Sequence, residues 1–180
     1  MNRLEPVPGG RDARLAELDL PEVVRRAQMG SATAFEALTL AYGDRLHRFL
    51  VLRLGGTRDA RDVLQETLVA AWQGLPNLLD PEKFWPWLAG IAANKAADSH
   101  RRQLRSVELH DEHEAPEATG ETLEIREALE ALPPAMREVL LLRFHLRLSE
   151  EETAAALGVR VGTVKSRANR ARRALEEALR

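Results

Sequence analysis

Apolar residues recur at steps of three and four along almost the whole chain, and no run of alternating β-branched residues interrupts them. This is the helical period, because 3.6 residues per turn return every third or fourth side chain to one face. The pattern predicts helices over 20–29, 31–54, 57–74 and 84–102, then over 123–131, 134–144, 149–157 and 161–179. Two stretches lack the period. Residues 1–19 contain Pro6, Pro8, Gly9 and Gly10 and read as a flexible lead-in. "SVELHDEHEAPEATGETLE", residues 106–124, carries Glu108, Asp111, Glu112, Glu114, Glu117, Glu121 and Glu124 with no basic residue, and is punctuated by Pro116 and Gly120. It cannot bury enough apolar surface to offset its ordering entropy and reads as a linker. The expected fold is all-α: two small helical domains, 20–102 and 123–180, joined by a flexible acidic linker at 103–122.

Composition narrows the class. The 180 residues are 44% hydrophobic, enough to form packed cores, and no apolar run approaches a membrane span or a secretory h-region. Membrane insertion is not expected. Cysteine is absent, which rules out disulfides and cysteine-zinc sites and makes a reducing cytoplasm the expected location. The formal net charge is only -2, yet the 26 basic and 28 acidic residues are sorted into blocks, so local charge is what points to partners.

The densest basic block is "VGTVKSRANRARRALEEAL", Val161 to Leu179, preceded by Arg160. Ser149 and Glu152 fit a capping box that starts a short helix, and Gly158 suits the left-handed residue that ends it. A second helix after a short turn completes a helix-turn-helix layout. On that second helix Val164, Ala168, Ala171 and Leu175 form one apolar stripe. Ser166, Asn169 and Arg173 lie opposite, flanked by Lys165, Arg167, Arg170 and Arg172. A solvated terminal helix carries similar charge; the capped helix, Gly158 and the uninterrupted basic flanks favour DNA. Lys165, Ser166 and Asn169 stand best for base edges in the major groove, and Arg160, Arg167, Arg170, Arg172 and Arg173 for phosphates.

The stretch "LEALPPAMREVLLLRFHLRLSEEETAAALGVRVGTVKSRANRARRAL" resembles region 4 of an extracytoplasmic-function sigma factor of bacterial RNA polymerase. "DARDVLQETLVAAW", Asp59 to Trp72, resembles the region 2 signature, and "FWPWLAGIAANKAADSHRR" the segment that reads the minus-ten element. The resemblance covers nearly all of the chain after the lead-in. It implies that region 4 binds the minus-35 element through Arg160, Thr163, Lys165, Ser166, Arg167, Asn169, Arg170, Arg172 and Arg173. It implies that Asp59, Asp62, Gln65 and Glu66 face a coiled coil of the polymerase β′ subunit, while Val63, Leu64, Thr67, Leu68 and Ala71 face inward. Trp85, Trp87, Asn94, Lys95, Asp98, Arg101 and Arg102, with the loop 75–83, would handle the minus-ten strand; both tryptophans equally suit a core. Core polymerase, its β′ and β subunits, promoter DNA and an anti-sigma protein are the implied partners.

Three positions depart from the family pattern. Ala93 stands where arginine is usual, and Thr153 replaces a branched apolar residue. Arg147 occupies a turn position commonly held by glycine, where its Cβ is expected to resist a left-handed backbone.

Other chemistries find less support. "HDEHE", His110 to Glu114, could gather a metal, but it lies in the linker with no scaffold to preorganise ligands. No nucleophile-base pair or phosphate-cradling glycine loop appears, so neither catalysis nor a cofactor is expected. The rival reading is a regulator with the same DNA reader and a sensing or dimerising N-terminal domain; the region 2-like motifs argue against it.

Overall fold

The computed structural model describes residues 19–105 and 120–179. The lead-in, most of the expected linker and the "HDEHE" motif lie outside the described residues. Within them, regular structure is helical throughout.

Four helices form the first unit: α1 (Leu20–Gln28), α2 (Ala32–Leu54), α3 (Thr57–Gly74) and α4 (Phe84–Arg105). Their ends follow from local chemistry. Asp19 caps α1 by accepting from the Glu22 amide, and Ser31 caps α2 by accepting from Ala34 N at 3.3 Å. Gly55, at φ +79°, closes α2 in the left-handed region. Leu38, Leu46, Phe49 and Leu50 of α2 are buried with Val63, Thr67 and Ala71 of α3 and Leu88 of α4. Thr67 satisfies its buried hydroxyl by donating to the Val63 carbonyl at 2.7 Å. On α4 a seam of Ala89, Ala92, Ala93 and Ala96 is buried, and such small side chains let neighbouring helices approach closely. Ala93, matched to a usual arginine, is therefore a packing position in this fold and not an exposed one.

The second unit contains α5 (Gly120–Glu130), α6 (Pro134–Leu140), a π-helical turn at Leu141–His145, α7 (Glu150–Leu157) and α8 (Val161–Ala178). The helix expected over 134–144 thus loosens after Leu140. Arg147 does take a left-handed backbone, at φ +56°. The expected resistance, about 1–2 kcal/mol for a residue with a Cβ, is overcome by closure of the turn around it. Leu146 N donates to Leu141 O at 2.9 Å, Leu148 N donates to Leu142 O at 3.0 Å, and the Arg143 guanidinium also bonds the Leu148 carbonyl. Leu146 and Leu148 are thereby anchored in the core.

The two units do not stand apart. A single apolar cluster includes Leu46, Phe49 and Leu88 from the first and Leu140, Leu142, Leu146 and Leu148 from the second. The helix α7 packs on α4, and the π turn packs on α2. Arg53, 7% exposed, meets Glu138 of α6 at 3.2 Å. The Trp85 indole donates to Leu146 O at 3.0 Å, and Arg45 donates through two nitrogens to His145 O at 3.2 and 3.1 Å.

Candidate nucleic-acid and polymerase interface

The C-terminal hairpin of helices is built as its sequence requires. Ser149 Oγ accepts from Glu152 N at 3.0 Å while Glu152 returns a carboxylate oxygen to Ser149 N at 2.8 Å, completing the capping box on α7. Gly158, at φ +62°, ends that helix. Val164 and Ala171 of α8 are fully buried, and Ala168 and Leu175 are half-buried beside them. Val164 packs with Val139 and Ala154 in a small core of its own. Thr153 of α7 is also fully buried, and among the described residues its hydroxyl finds no hydrogen-bond partner.

With one side of α8 committed to packing, the other is exposed: Lys165, Ser166, Asn169, Arg170, Arg172 and Arg173, with Arg160 at the helix start. Thr163 and Arg167 are half-buried at its margins. No acidic residue occupies the first turn. Lys165 Nζ lies 3.4 Å from Glu150 of α7, and Arg172 pairs with Glu176 at 3.7 Å, so two cations are held by exposed pairs that weaken readily in salt. Ser166 donates to Thr163 O and Arg170 to Ser166 O, which lays both side chains along the helix.

The residues expected to handle a single strand divide into two groups. Asn94, Asp98, Arg101 and Arg102 are exposed along α4, and Lys95 is half-exposed. Asp98 accepts from Arg101 one turn on. Trp85 and Trp87 are half-buried. Trp85 stacks on Tyr42 with ring centroids 4.7 Å apart, lies beneath the Arg45 guanidinium and spends its indole N–H on Leu146. Trp87 lies against Gly74, where a Cβ would come within 3.2 Å of its ring. The loop before α4 is fixed from behind: Gln28 Nε2 donates to Leu75 O at 3.1 Å and to Leu78 O at 2.7 Å, and Asp80 caps the Pro81–Lys83 turn.

On α3, Val63, Thr67 and Ala71 face the core as expected, and Leu64 and Leu68 are half-buried. Asp62 and Gln65 are exposed; Asp59 and Glu66 are half-exposed. Asp62, Gln65 and Glu66 line an open groove with Val69, Ala70, Gln73 and Lys95. Val69 and Trp72 are large apolar side chains left partly open on the same helix.

Both halves of the chain match known families. Residues 38–106 match the model for Sigma-70 region 2, and residues 122–175 the model for Sigma-70, region 4. SigD of Mycobacterium tuberculosis, an ECF RNA polymerase sigma factor, is 34% identical over 88% of this chain and 82% of its own. The chain belongs to the extracytoplasmic-function branch of the sigma-70 family. It is a sigma factor of transcription initiation. The solved structure of CnrH with the cytosolic domain of CnrY is 31% identical and superposes with a TM-score of 0.71, covering 89% of this chain and 96% of that one. The sigma factor RpoE of Bartonella quintana, solved with the anti-sigma factor NepR, is 28% identical with a TM-score of 0.68, covering 81% and 96%.

Sequence reasoning missed the residues that join the two regions of this sigma factor: Arg45, Arg53, Glu138 and His145. One signal was present. Leu46, Phe49, Leu50 and Arg53 follow each other at helical spacing, so Arg53 continues an apolar stripe, and an arginine there calls for a buried partner.

Proposed function

We propose that this sigma factor attaches to core RNA polymerase and selects a two-part promoter, with region 4 on the minus-35 duplex and region 2 on the melted minus-ten element. The observation that carries the reading is α8, where buried Val164 and Ala171 leave Lys165, Ser166, Asn169, Arg170, Arg172 and Arg173 on one exposed side. Lys165, Ser166, Thr163 and Asn169 would enter the major groove, while Arg160, Arg167, Arg170, Arg172 and Arg173 neutralise flanking phosphates.

On region 2, Trp87, Asn94, Lys95, Asp98, Arg101 and Arg102 would track the non-template strand, with aromatic stacking and side-chain amides serving unstacked bases. Trp85, anchored to Leu146 in the closed chain, would join them only after the regions part. Asp59, Asp62, Gln65 and Glu66 meet a basic helix of the β′ subunit, setting orientation and association rate through complementary charge. Region 4 adds a contact to the β subunit. The protein acts in the cytoplasm and performs no chemistry itself; polymerase does.

Control by an anti-sigma protein fits the likeness to RpoE, which was solved with one. The deciding experiment is run-off transcription with purified core polymerase on a genomic promoter library. A defined set of selected promoters is expected, and folded protein that yields no promoter-selective transcript overturns the proposal.

A further inference from the structure

We infer that Gln28 is a positioning residue for promoter opening: from the end of α1 it stiffens the loop 75–83, so that Leu79 can press into a closed base stack without giving way. The inference rests on the proposed strand-handling role of region 2 and adds to it a residue of α1. That helix, Leu20–Gln28, precedes residues 38–106, the stretch matched to region 2.

The loop has little to stiffen it from within. Between α3 and α4 it makes two single turns, Leu75–Asn77 and Pro81–Lys83. Leu78 N donates to Leu75 O at 3.1 Å, Lys83 N to Asp80 O at 3.0 Å and Glu82 N to Asp80 Oδ1 at 3.0 Å. Each of these bonds closes one turn, and none of them joins the two.

Gln28 supplies a brace from outside. A glutamine amide carries two N–H donors, and here its nitrogen reaches both Leu75 O at 3.1 Å and Leu78 O at 2.7 Å. Those carbonyls stand at the start of the first turn and just past its end, so one planar group fixes the turn and the direction in which the chain leaves it. The brace has a firm base, because Val24 and Ala27 behind it are buried in the core. Toward the other end of α1, Leu20, Pro21 and Val24 share a small cleft with Pro81 and Glu82 of the second turn. The helix thus backs both turns.

The braced loop lies where a strand would part. Gly74 sits so close beneath Trp87 that a Cβ would come within 3.2 Å of its ring, and Leu78 lines one cleft with Trp87 and Asn94. Leu75 is fully buried, whereas Leu79, next to the braced Leu78, is 99% exposed. Apolar side chains held on a fixed frame are the groups that wedge base steps apart. Unstacking is uphill, so a compliant loop pressed against the duplex relaxes instead of opening it. Once the strands are parted, stiffness matters far less.

The test is run-off transcription with core polymerase on two templates: a selected promoter as a full duplex, and the same promoter with non-complementary strands across its minus-ten element. Gln28→Met keeps the length of the side chain and removes both donors. It is expected to lower transcript from the duplex by about tenfold, the order set by losing two net hydrogen bonds, and to leave the pre-opened template within about twofold of wild type. Gln28→Glu, which turns a carboxylate toward the same two carbonyls, is expected to lose more on the duplex. Leu79→Ser, at a side chain with almost no packing to lose, is expected to show the same template dependence. Combined with Gln28→Met it should lose no more than the larger single loss, since both act through one arm.

Equal losses on the two templates overturn the inference, because misfolding or a failure to hold the strand falls on both. So does a Gln28→Met chain that opens the duplex as wild type does, or a double variant whose losses multiply. Wild-type protein with no promoter-selective transcript from the duplex overturns instead the proposed function on which the inference stands.

Discussion

Glu66, on the face of α3 proposed to meet polymerase, accepts a hydrogen bond at 3.2 Å from Arg102, on the face of α4 proposed to meet DNA. Lys95 stands 3.8 Å from its other oxygen. One carboxylate therefore holds two cations of the neighbouring surface while polymerase is absent. Glu66→Gln is expected to release both, strengthening binding of a random single strand and weakening association with core polymerase. Since Glu66 and Arg102 are both substantially exposed, the change in folding stability stays within about 1 kcal/mol. Anisotropy with core and with DNA, beside a thermal melt, checks the three effects; unchanged affinity for both partners counts against the coupling.

Thr153 offers a separate stability test. Its hydroxyl is buried on α7 without a hydrogen-bond partner among the described residues. Valine has nearly the same shape and no polar atom to desolvate. Thr153→Val is expected to stabilise the protein by about 1 kcal/mol, raising the melting temperature by roughly 2–4 °C. A lower melting temperature would mean that the hydroxyl is satisfied in solution.

The contrast between these sites shows what could be read from the residues alone. The capping box at Ser149, the left-handed Gly158 and the stripe through Val164 and Ala171 are local consequences of spacing, and each appears where the pattern puts it. The same holds for the inward face of α3. Docking of α7 on α4 has no such signature, because Ala155 and Ala156 look like ordinary helix formers and Gly90 like a weak point in a helix. Their meaning appears only when two segments more than sixty residues apart come together. Arg147 fails for a related reason: side-chain preference opposed its backbone, but anchoring of Leu146 and Leu148 on either side decided it.

Acidity is expected to loosen the junction. His145 lies between the regions, with Nε2 3.4 Å from Arg45 O, and burial pushes its pKa below the usual histidine value of 6.5, aided by the charges of Arg45 and Arg48 and opposed by that hydrogen bond. The folded chain therefore prefers the neutral ring. Its contribution is complete above the unfolded value and is lost as pH falls through 6.5. His47 has the same sign, through burial and then the charges of Arg61 and Arg48. Urea unfolding should show a lower midpoint at pH 5 than at pH 7. His145→Gln should remove part of that slope, and adding His47→Gln should remove more; an unaltered slope in the double variant assigns the acid sensitivity elsewhere.

The proposed division of labour on α8 separates phosphate contacts from base reading. Arg170 is exposed and donates to the Ser166 carbonyl, and among the described residues no acidic side chain is paired with it, so its cation is available to DNA. Each neutralised phosphate contributes a slope of about -0.9 to the dependence of log affinity on log salt. Arg170→Ala in the assembled polymerase complex should reduce the magnitude of that slope by about one unit and weaken every promoter to a similar degree. Asn169→Ala should leave the slope intact but change which bases are preferred at the upstream element, since a side-chain amide recognises a base edge through paired hydrogen bonds. Salt titrations on a promoter recovered by run-off selection, repeated with single-base changes in its upstream element, distinguish the two residues. If Arg170→Ala shifts base preference with no change in slope, the guanidinium reads sequence and the assignments on this helix must be exchanged.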